Sequence, residues 1–301
     1  MNILITGGTG FIGAPLVIKL LELGHSLTVL SRQSLQSRPQ LRYVKSLEQL
    51  ADNATIDAVI NLAGASLADH RWSAAYKLEI LSSRLDTTRS LLQLMQRLEQ
   101  PPQVLLSASA IGFYGHHGDE LLAEEGAITP GFAQNLCQQW EDLALQAQAL
   151  GMRVCLLRLG VVLDAGGGAF TQMALPFRFG VGNWLGRGDQ WLSWVHRQDV
   201  LAAIVFLLEQ KQLSGPFNIT APEAVTSRGF CDAMLGHRRT LVNLPVPAVA
   251  MRVLIGEMAD ELLLKGQRVI PQALQQAEFA FEFPDIDTAL ADILHGATKV
   301  A

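Results

Sequence analysis

Cysteine is scarce in this sequence. The three cysteines, Cys137, Cys155 and Cys231, are odd in number and form no C-x-x-C pair. This pattern indicates neither a disulfide framework nor a zinc site, and it favours a reducing compartment. No cluster of histidine, cysteine and carboxylate side chains has the spacing of metal ligands, so we expect no bound metal.

Basic tracts and long apolar runs are also missing. The 23 basic and 28 acidic residues give a formal net charge of −5, which argues against nucleic acid or an anionic membrane as the main partner. The longest purely apolar run, residues 200–208, is far shorter than the ~20 residues that span a bilayer. An apolar strand begins with the first residues and leaves no room for a signal peptide. We therefore expect a soluble, cytoplasmic protein.

A glycine-rich turn joins the first apolar run, residues 1–6, to an amphipathic stretch, residues 14–23. A strand, a glycine turn and a helix in this order make a cradle for a pyrophosphate, because the amides and the positive dipole end of the helix face the anion. Gly7 allows the sharp bend, Gly10 leaves a phosphate room to approach, and Gly13 lets the helix pack against the strand. The predicted cofactor-binding residues of this turn are Gly7, Gly8, Thr9, Gly10, Phe11, Ile12 and Gly13. The alternative is a plain structural turn.

Short apolar runs alternate with helical patterns further along the chain. Continuous runs rich in valine, isoleucine and leucine predict buried strands at residues 26–30, 57–62, 103–107 and 153–158. Helical patterns lie at residues 11–23, about 73–99, about 134–150 and 197–210. The alternation predicts an α/β protein with a Rossmann-like, doubly wound parallel sheet, whose ligand crevice lies at the carboxyl ends of the strands.

The composition changes from about residue 164 onward. Glycine-rich loops at 164–168 and 179–190 suit a lid or a substrate lobe, and a tail containing four prolines follows residue 241. We predict a dinucleotide-binding domain over residues 1–240, interleaved with substrate-lobe segments at about 164–192. We predict a smaller C-terminal module over residues 241–301.

The residues after the second predicted strand favour one nicotinamide cofactor over another. NAD sites usually place a carboxylate there to hold the 2′-hydroxyl of the ribose. This chain has Ser31 and Arg32 instead. A guanidinium pairs with the 2′-phosphate of NADP(H), which a carboxylate would repel. We predict NADP(H) as the cofactor, the alternative being a solvated loop arginine.

Several segments together with the cradle resemble the extended short-chain dehydrogenase/reductases. These segments are NLAG at 61–64, SAS at 107–109, GFYG at 112–115, WVHRQDV at 194–200 and GPFNI at 215–219. The chain is most similar to an atypical branch, the epimerase family proteins, some of which are labelled nucleoside-diphosphate-sugar epimerase or SulA-like cell-division inhibitor. Further matches to this branch are RW at 71–72, LCQQWE at 136–141, GEMA at 256–259 and LLLKGQRVIP at 262–271.

The resemblance covers essentially the whole chain, including a C-terminal module of unknown function. It implies a Rossmann-like fold and an NADP(H) site, with a cofactor wall shaped by Asn61, Leu62, Ala63 and Gly64. It implies no substrate.

One departure from the wider superfamily concerns proton transfer, which that superfamily performs with a Tyr-x-x-x-Lys pair on one helical face. None of the three tyrosines here has a lysine four residues further on. The positions assigned to the pair hold Ala133 and Cys137, and the superfamily's helix asparagine corresponds to Arg84. Because positioned acid-base groups contribute ~10²–10⁴-fold to a rate, ketone/alcohol chemistry requires a substitute in this chain.

Two residues are candidates for that chemistry. Ser109 follows the strand whose carboxyl end faces the nicotinamide in this fold, where its hydroxyl could bind a substrate carbonyl or simply satisfy the backbone. Tyr114 lies in a glycine-flanked loop and is a candidate acid, the alternative being a packed loop aromatic. Cys137 has a conceivable redox role or is a small buried thiol.

Four residues are candidates for substrate binding. Arg84 on the long helix could hold an anion. Arg178 and Arg187 flank a glycine-rich loop and could clamp a phosphate or carboxylate, the alternative being that they only keep the loop soluble. His196 belongs to the segment that helps to close the substrate pocket in the family.

Two functions are compatible with these residues. The first is an NADP(H)-dependent oxidoreductase or epimerase-like enzyme acting on a small substrate, which could be anionic, and we favour it. The second is an NADP(H)-binding sensor or regulatory protein with little or no catalysis, which the missing tyrosine-lysine pair and the extra module would suit. The partner is then a small molecule rather than nucleic acid or membrane, and the protein is a monomer or a homodimer.

Overall fold

A computed structural model describes residues 1–296 of the chain. Its strands are β1 (Asn2–Thr6), β2 (Ser26–Leu30), β3 (Leu41–Val44), β4 (Ala58–Asn61), β5 (Val104–Ala110), β6 (Leu121–Leu122), β7 (Arg153–Leu159), β8 (Val161–Asp164), β9 (Val181–Leu185), β10 (Trp191–Leu192), β11 (Trp194–His196), β12 (Gly215–Ile219), β13 (Val225–Thr226), β14 (Val242–Val246) and β15 (Arg268–Val269). Its helices are α1 (Gly13–Glu22), α2 (Ala74–Arg97), α3 (Phe132–Leu145), α4 (Gly168–Met173), α5 (Leu175–Arg178), α6 (Arg197–Glu209), α7 (Ser227–His237), α8 (Ala248–Ile255), α9 (Gln272–Gln276) and α10 (Ile286–His295). Within these 296 residues, every helix is too short or too polar to span a membrane.

The predicted strands and helices are all present, with ends shifted by a few residues. The predicted helix at 134–150 is α3 followed by a short 3₁₀ turn, Gln146–Leu150. The sequence patterns missed the short strands outside the seven-stranded sheet and, within that sheet, β3 and β12. Only four residues long, β3 includes an exposed arginine, and β12 begins with Gly215 and Pro216, which ordinarily argue against a strand.

Seven strands form one sheet in the order β12-β7-β5-β4-β1-β2-β3. The pairs β1–β2, β1–β4, β2–β3 and β4–β5 are parallel, and Thr6 lies opposite both Leu30 and Asn61. Strands β2 and β3 follow in order on one side of β1, and β4, β5, β7 and β12 follow in order on its other side. A ligand crevice is therefore expected at the carboxyl ends of β1 and β4, beside Thr6 and Asn61. The predicted doubly wound parallel sheet is confirmed.

The chain divides into two compact units. Unit 1 comprises residues 1–109, 136–157 and 201–216, and unit 2 comprises residues 110–135, 158–200 and 217 onward. Unit 2 thus holds both the predicted substrate-lobe segments and the predicted C-terminal module. The boundary near residue 240 stays a prediction.

Unit 2 is assembled from short strand pairs and helices that are far apart in sequence. The parallel pairs are β6–β15, β8–β11 and β9–β14, and the antiparallel pair is β10–β13. Helix α10 packs into its core through Ile286, Ala289, Leu290 and Ile293, whose spacing places them on one helical face. Helix α10 therefore contributes to the core of this unit.

In unit 1, a single hydroxyl connects the sheet to two helices. Thr88 Oγ1 on α2 accepts hydrogen bonds from Asn61 Nδ2 at 2.9 Å and from Trp140 Nε1 at 3.1 Å. It donates its own proton to the carbonyl of Arg84 at 2.8 Å. A hydroxyl offers one proton and two lone pairs, so all its hydrogen-bonding capacity is used.

In unit 2, a buried polar network surrounds Tyr114. Its hydroxyl donates to Asn218 Oδ1 at 2.7 Å and accepts from Arg158 Nη1 at 3.0 Å. The same guanidinium donates to the carbonyl of Glu124, and the Glu124 carboxylate accepts from the amides of Asn218 and Ala273. This network ties β12 to the start of α9, so it joins distant parts of the chain inside unit 2.

We expect Thr88→Val to destabilise unit 1. The substitution keeps the shape of the side chain but removes the acceptor of Trp140 Nε1 and the main acceptor of Asn61 Nδ2. Each buried group left without a partner costs about 1–3 kcal/mol, so the free energy of unfolding should fall by about 2–4 kcal/mol in urea denaturation. Thr87→Val is the matched control, because among residues 1–296 the Thr87 hydroxyl bonds only to the Ser83 carbonyl of its own helix. Equal losses for the two variants would contradict the account.

The phenol of Tyr114 should titrate late. Burial raises its pKa to about 12, and its hydrogen bonds and the charge of Arg158 only partly oppose this. The protonated phenol therefore stabilises the fold below pH ~10, and this contribution is lost as the pH rises from about 10 to about 12.

The measurement is absorbance at 295 nm during alkaline titration, as the difference between the wild-type chain and Tyr114→Phe. The difference should be centred near pH 12 in the folded protein and near pH 10 in the urea-unfolded chain. A difference centred near pH 10 in the folded protein would show that Tyr114 is not buried in this network.

Candidate functional site

Three of the four glycines in the turn after β1 are needed for packing. Gly7 has a positive φ of 69°, and a Cβ there would lie 2.6 Å from the Leu62 carbonyl oxygen. A Cβ on Gly13 would lie 2.1 Å from the Gly7 carbonyl oxygen, so this glycine packs against the turn itself rather than against the strand. Gly8 is buried against Val29. These three glycines are required by the packing of the protein alone.

Gly10 differs from the other glycines of the turn. It is exposed, and a Cβ there would meet only the Gly7 carbonyl oxygen, at 3.2 Å. Its neighbour Thr9 is exposed, and Phe11 and Ile12 are half-buried. Packing therefore restricts position 10 less than positions 7, 8 and 13, and close approach of a phosphate gives a further reason for glycine there.

The start of α1 suits an anion. Ile12 precedes the helix and supplies no side-chain cap, and the first turn carries no acidic residue. Amides at an uncapped helix start attract phosphate, helped by the helix dipole. The turn and this helix start together fit the pyrophosphate of a dinucleotide.

Ser31 and Arg32 follow β2 at the same edge of the sheet. Ser31 is buried, and its Oγ accepts a hydrogen bond from the Gln33 amide at 3.2 Å, which leaves its proton to be donated. Arg32 is exposed, and in the described part of the chain its guanidinium has no hydrogen-bond or ion-pair partner. A guanidinium in this state is open to an anionic group such as a 2′-phosphate.

The segment after β4 forms a wall beside the glycine turn. The Asn61 side chain is buried, accepts from Thr6 Oγ1 at 2.6 Å and donates to Thr88. The Asn61 side chain therefore supports the wall from its buried side. Leu62 and Ala63 are half-buried and contact Gly7 through their backbone, and Gly64 is exposed.

The guanidinium of Arg84 lies against this wall. A Cβ on Gly64 would come within 2.9 Å of Arg84 Cζ, so a larger residue at position 64 would displace the guanidinium from this place. The guanidinium lies over the Trp140 ring at 5.3 Å and donates to the Ile80 carbonyl at 3.0 Å. Burial lowers the pKa of Arg84, and the nearby Cys137 thiol partly opposes this. Within residues 1–296 the guanidinium has no carboxylate partner.

Ser109 is paired with a carboxylate that the sequence patterns did not single out. Its Oγ donates to Glu141 Oε1 at 2.6 Å, and the two side chains are only 2% and 3% exposed. On α3, Glu141 follows Cys137 by four residues and Trp140 by one, and all three are buried. The sequence did contain one signal of this pair, because Glu141 falls on the buried face of an amphipathic helix. Unpaired carboxylates are almost never fully buried, so a buried partner for Glu141 was to be expected.

Tyr114 and His196 both lie inside unit 2. The Tyr114 hydroxyl is engaged on both sides by Arg158 and Asn218, which favours a structural role over the predicted proton donor. His196 is buried, with Nδ1 accepting from the Gln198 amide and Nε2 3.3 Å from Asp292 Oδ2. Burial lowers its pKa. His196 thus connects β11 to α10, and its predicted role in substrate binding stays a prediction.

The two arginines of the glycine-rich loop have different surroundings. Arg187 is exposed and donates to the carboxylate of Asp189 through Nε at 2.8 Å. Arg178 lines a cavity of about 200 Å³. In residues 1–296 no group of three or more histidine, cysteine or carboxylate side chains is placed to hold a metal ion.

Comparison with known families gives two matches. The model of the NAD dependent epimerase/dehydratase family matches residues 3–220. A domain of unknown function matches residues 246–293. The first match spans both the glycine turn and the seven-stranded sheet, and the second falls within the predicted C-terminal module.

Individual proteins and structures are similar over nearly the whole chain. An epimerase family protein of Staphylococcus saprophyticus is 39% identical over 298 residues, covering 97% of this chain and 99% of the relative. The human epimerase family protein SDR39U1, solved with NADPH, is 31% identical with a TM-score of 0.87, covering 97% of this chain and 99% of that one. A nucleoside-diphosphate sugar epimerase from Corynebacterium glutamicum is 29% identical with a TM-score of 0.79, covering 98% of this chain and 58% of that one.

These matches confirm the resemblance and the Rossmann-like fold, and they agree with the predicted nicotinamide dinucleotide cofactor. The order of strand, glycine turn and helix lies inside the matched region, and so does the wall at 61–64. The chain belongs to the NAD dependent epimerase/dehydratase family, with a C-terminal domain of unknown function.

Proposed function

We propose that the chain is an NADP(H)-dependent oxidoreductase or epimerase-like enzyme that acts on a small anionic substrate. The observation that carries this proposal is the enclosed guanidinium of Arg84 against the cofactor wall. It lies at the carboxyl edge of the sheet, where enzymes of this fold bind their ligands. It is a positive charge without a carboxylate partner in residues 1–296.

The cofactor follows from the glycine turn and from Arg32. The pyrophosphate is expected at Gly10 and the start of α1, and the 2′-phosphate at Arg32. The NADPH bound to human SDR39U1 supports the choice of NADP(H). When bound, this cofactor supplies or accepts a hydride.

The substrate is expected to carry a carboxylate or phosphate. Arg84 would donate to this group from the Gly64 side, and the Trp140 ring and the Ile80 carbonyl would hold the guanidinium in place. Partial burial strengthens such a contact, because the charge is poorly screened by water.

Ser109 and Glu141 are the groups we propose for proton transfer in place of the missing tyrosine-lysine pair. In alcohol oxidation, the substrate hydroxyl gives its proton to Ser109 Oγ while Ser109 gives its own to Glu141 Oε1. The 2.6 Å hydrogen bond already has this direction. In carbonyl reduction both protons move the opposite way, from protonated Glu141 through Ser109 to the substrate oxygen.

The second function, an NADP(H)-binding sensor, is favoured by one observation. Ser109 and Glu141 are almost completely buried in the described chain, as expected for a pair that only stabilises the fold. Binding and turnover experiments separate the two functions.

The cofactor assignment is tested by Arg32→Asp. A charge-assisted hydrogen bond contributes about 1.5–3 kcal/mol, so the Kd for NADPH should rise by about ten- to a hundredfold while that for NADH changes little. Arg38→Asp makes the same charge change at another exposed arginine of the same loop and should leave both constants unchanged. Isothermal titration calorimetry measures the Kd for NADPH and the Kd for NADH in the wild-type protein and in both variants. An unchanged Kd for NADPH in Arg32→Asp would reject the assignment.

The catalytic assignment is tested by NADPH oxidation with aldehydes and ketones that carry, or lack, a carboxylate or phosphate. We expect turnover of anionic members only. Arg84→Met should raise KM, because it removes the charge that binds the substrate. Ser109→Ala and Glu141→Gln should lower kcat by about 10²–10⁴-fold, because they remove proton transfer.

The control for Glu141→Gln is Asp142→Asn, the exposed neighbour on α3, which should leave kcat unchanged. Tight NADPH binding without turnover of any compound would favour the sensor. Turnover that survives Glu141→Gln would show an enzyme whose proton comes from elsewhere.

A further inference from the structure

Unit 2 contains a cavity of about 200 Å³ between helices α4, α5, α7 and α10. Its apolar wall includes Phe170, Phe177, Met234 and Ile293, each at most 5% exposed. Aromatic rings offer large apolar faces to a ligand, and a flexible methionine side chain adapts to its shape. None of the residues that line this cavity belongs to the cofactor cradle.

Two arginines line the same cavity. Arg178 ends α5, and Arg238 directly follows α7. Over residues 1–296 neither guanidinium has a hydrogen-bond or ion-pair partner. Two positive charges at one cavity repel each other, and an anion that contacts both would relieve this repulsion.

Exposed apolar side chains adjoin Arg178 in the structure. Phe179, the next residue, is 75% exposed. Leu241 is 90% exposed, and its amide donates to the carbonyl of Gly180 at 2.7 Å. Large exposed apolar groups beside unpaired charges are typical of a surface that binds an amphipathic molecule.

We propose that this cavity binds an anionic amphiphile, with a carboxylate or phosphate head group held by Arg178 and Arg238 and an apolar body against Phe170 and Met234. Arginine suits both head groups, because its planar fork donates two parallel hydrogen bonds. The cavity volume limits the size of the apolar part of the ligand. A cavity of ~150 Å³ holds a benzene ring, so about 200 Å³ has room for a body of about eight carbon atoms.

The test is calorimetric titration of the full-length protein with three eight-carbon probes of different charge. Sodium octanoate and octyl phosphate should bind with one site per chain, and octylammonium should not bind. Tighter binding of octanoate or of octyl phosphate identifies the preferred head group, and either result supports the site. No binding of either anion at millimolar concentration would overturn the proposal, as would equal binding of octylammonium.

Three arginine variants locate the head group. Arg178→Gln and Arg238→Gln should each weaken binding of the preferred anion by about tenfold, since both sites are partly screened by solvent. Arg239→Gln is the matched control, an exposed arginine next to Arg238 that does not line the cavity. If Arg239→Gln weakened binding as much as Arg238→Gln, a general charge effect would replace the proposed site.

Ala174→Leu tests the apolar part. Ala174 is buried on the cavity wall, and three additional carbon atoms would occupy the space proposed for the ligand. Binding should be lost while the Tm of the ligand-free protein stays the same or rises. Unchanged affinity in a folded Ala174→Leu protein would place the amphiphile elsewhere.

Discussion

The arrangement of unit 1 depends on the hydroxyl of Thr88. This one oxygen joins Asn61 at the end of β4, Trp140 on α3 and the backbone of α2 at Arg84. Because the bonds from Asn61 and Trp140 are buried, losing this oxygen would leave the Trp140 donor unpaired and Asn61 with only a long bond to Ser107, and we infer that this need fixes the rotation of both helices on the sheet. Arg84 lies one turn before Thr88, and Glu141 directly follows Trp140. The hydrogen bonds of Thr88 therefore also position Arg84 and Glu141, the two charged groups of the candidate site.

The same geometry separates cofactor binding from proton transfer. The glycine turn needs only backbone and space, and it is complete in this chain. Proton transfer needs a titratable side chain, and we infer from the sequence resemblance that the positions used by the superfamily hold Ala133 and Cys137. On the same helix, one turn after Cys137, Glu141 brings a carboxylate to Ser109. Under our proposal the helix keeps its role in proton transfer while the group that performs it differs.

The sequence predicted the sheet well, because buried parallel strands are continuous apolar runs whose pattern is local. It also identified the glycine turn, whose backbone requirements are visible in residue type. It did not identify the Ser109–Glu141 pair, since a hydrogen bond between residues 32 positions apart depends on how α3 packs on β5. The surroundings of Tyr114 were hidden for the same reason, because its partners Arg158 and Asn218 come from β7 and β12. Short strands such as β12, with its glycine and proline, form only because their neighbours complete them.

The central claim is that NADP(H) binds in the glycine cradle with its reactive ring beside Ser109. A crystal structure of the protein with NADPH tests this most directly. We predict the 2′-phosphate on Arg32, the pyrophosphate against Gly10 and the nicotinamide ring within reach of Ser109 Oγ, with Arg84 facing the space in front of the ring. A nicotinamide ring directed away from Ser109, or a 2′-phosphate with no contact to Arg32, would contradict it.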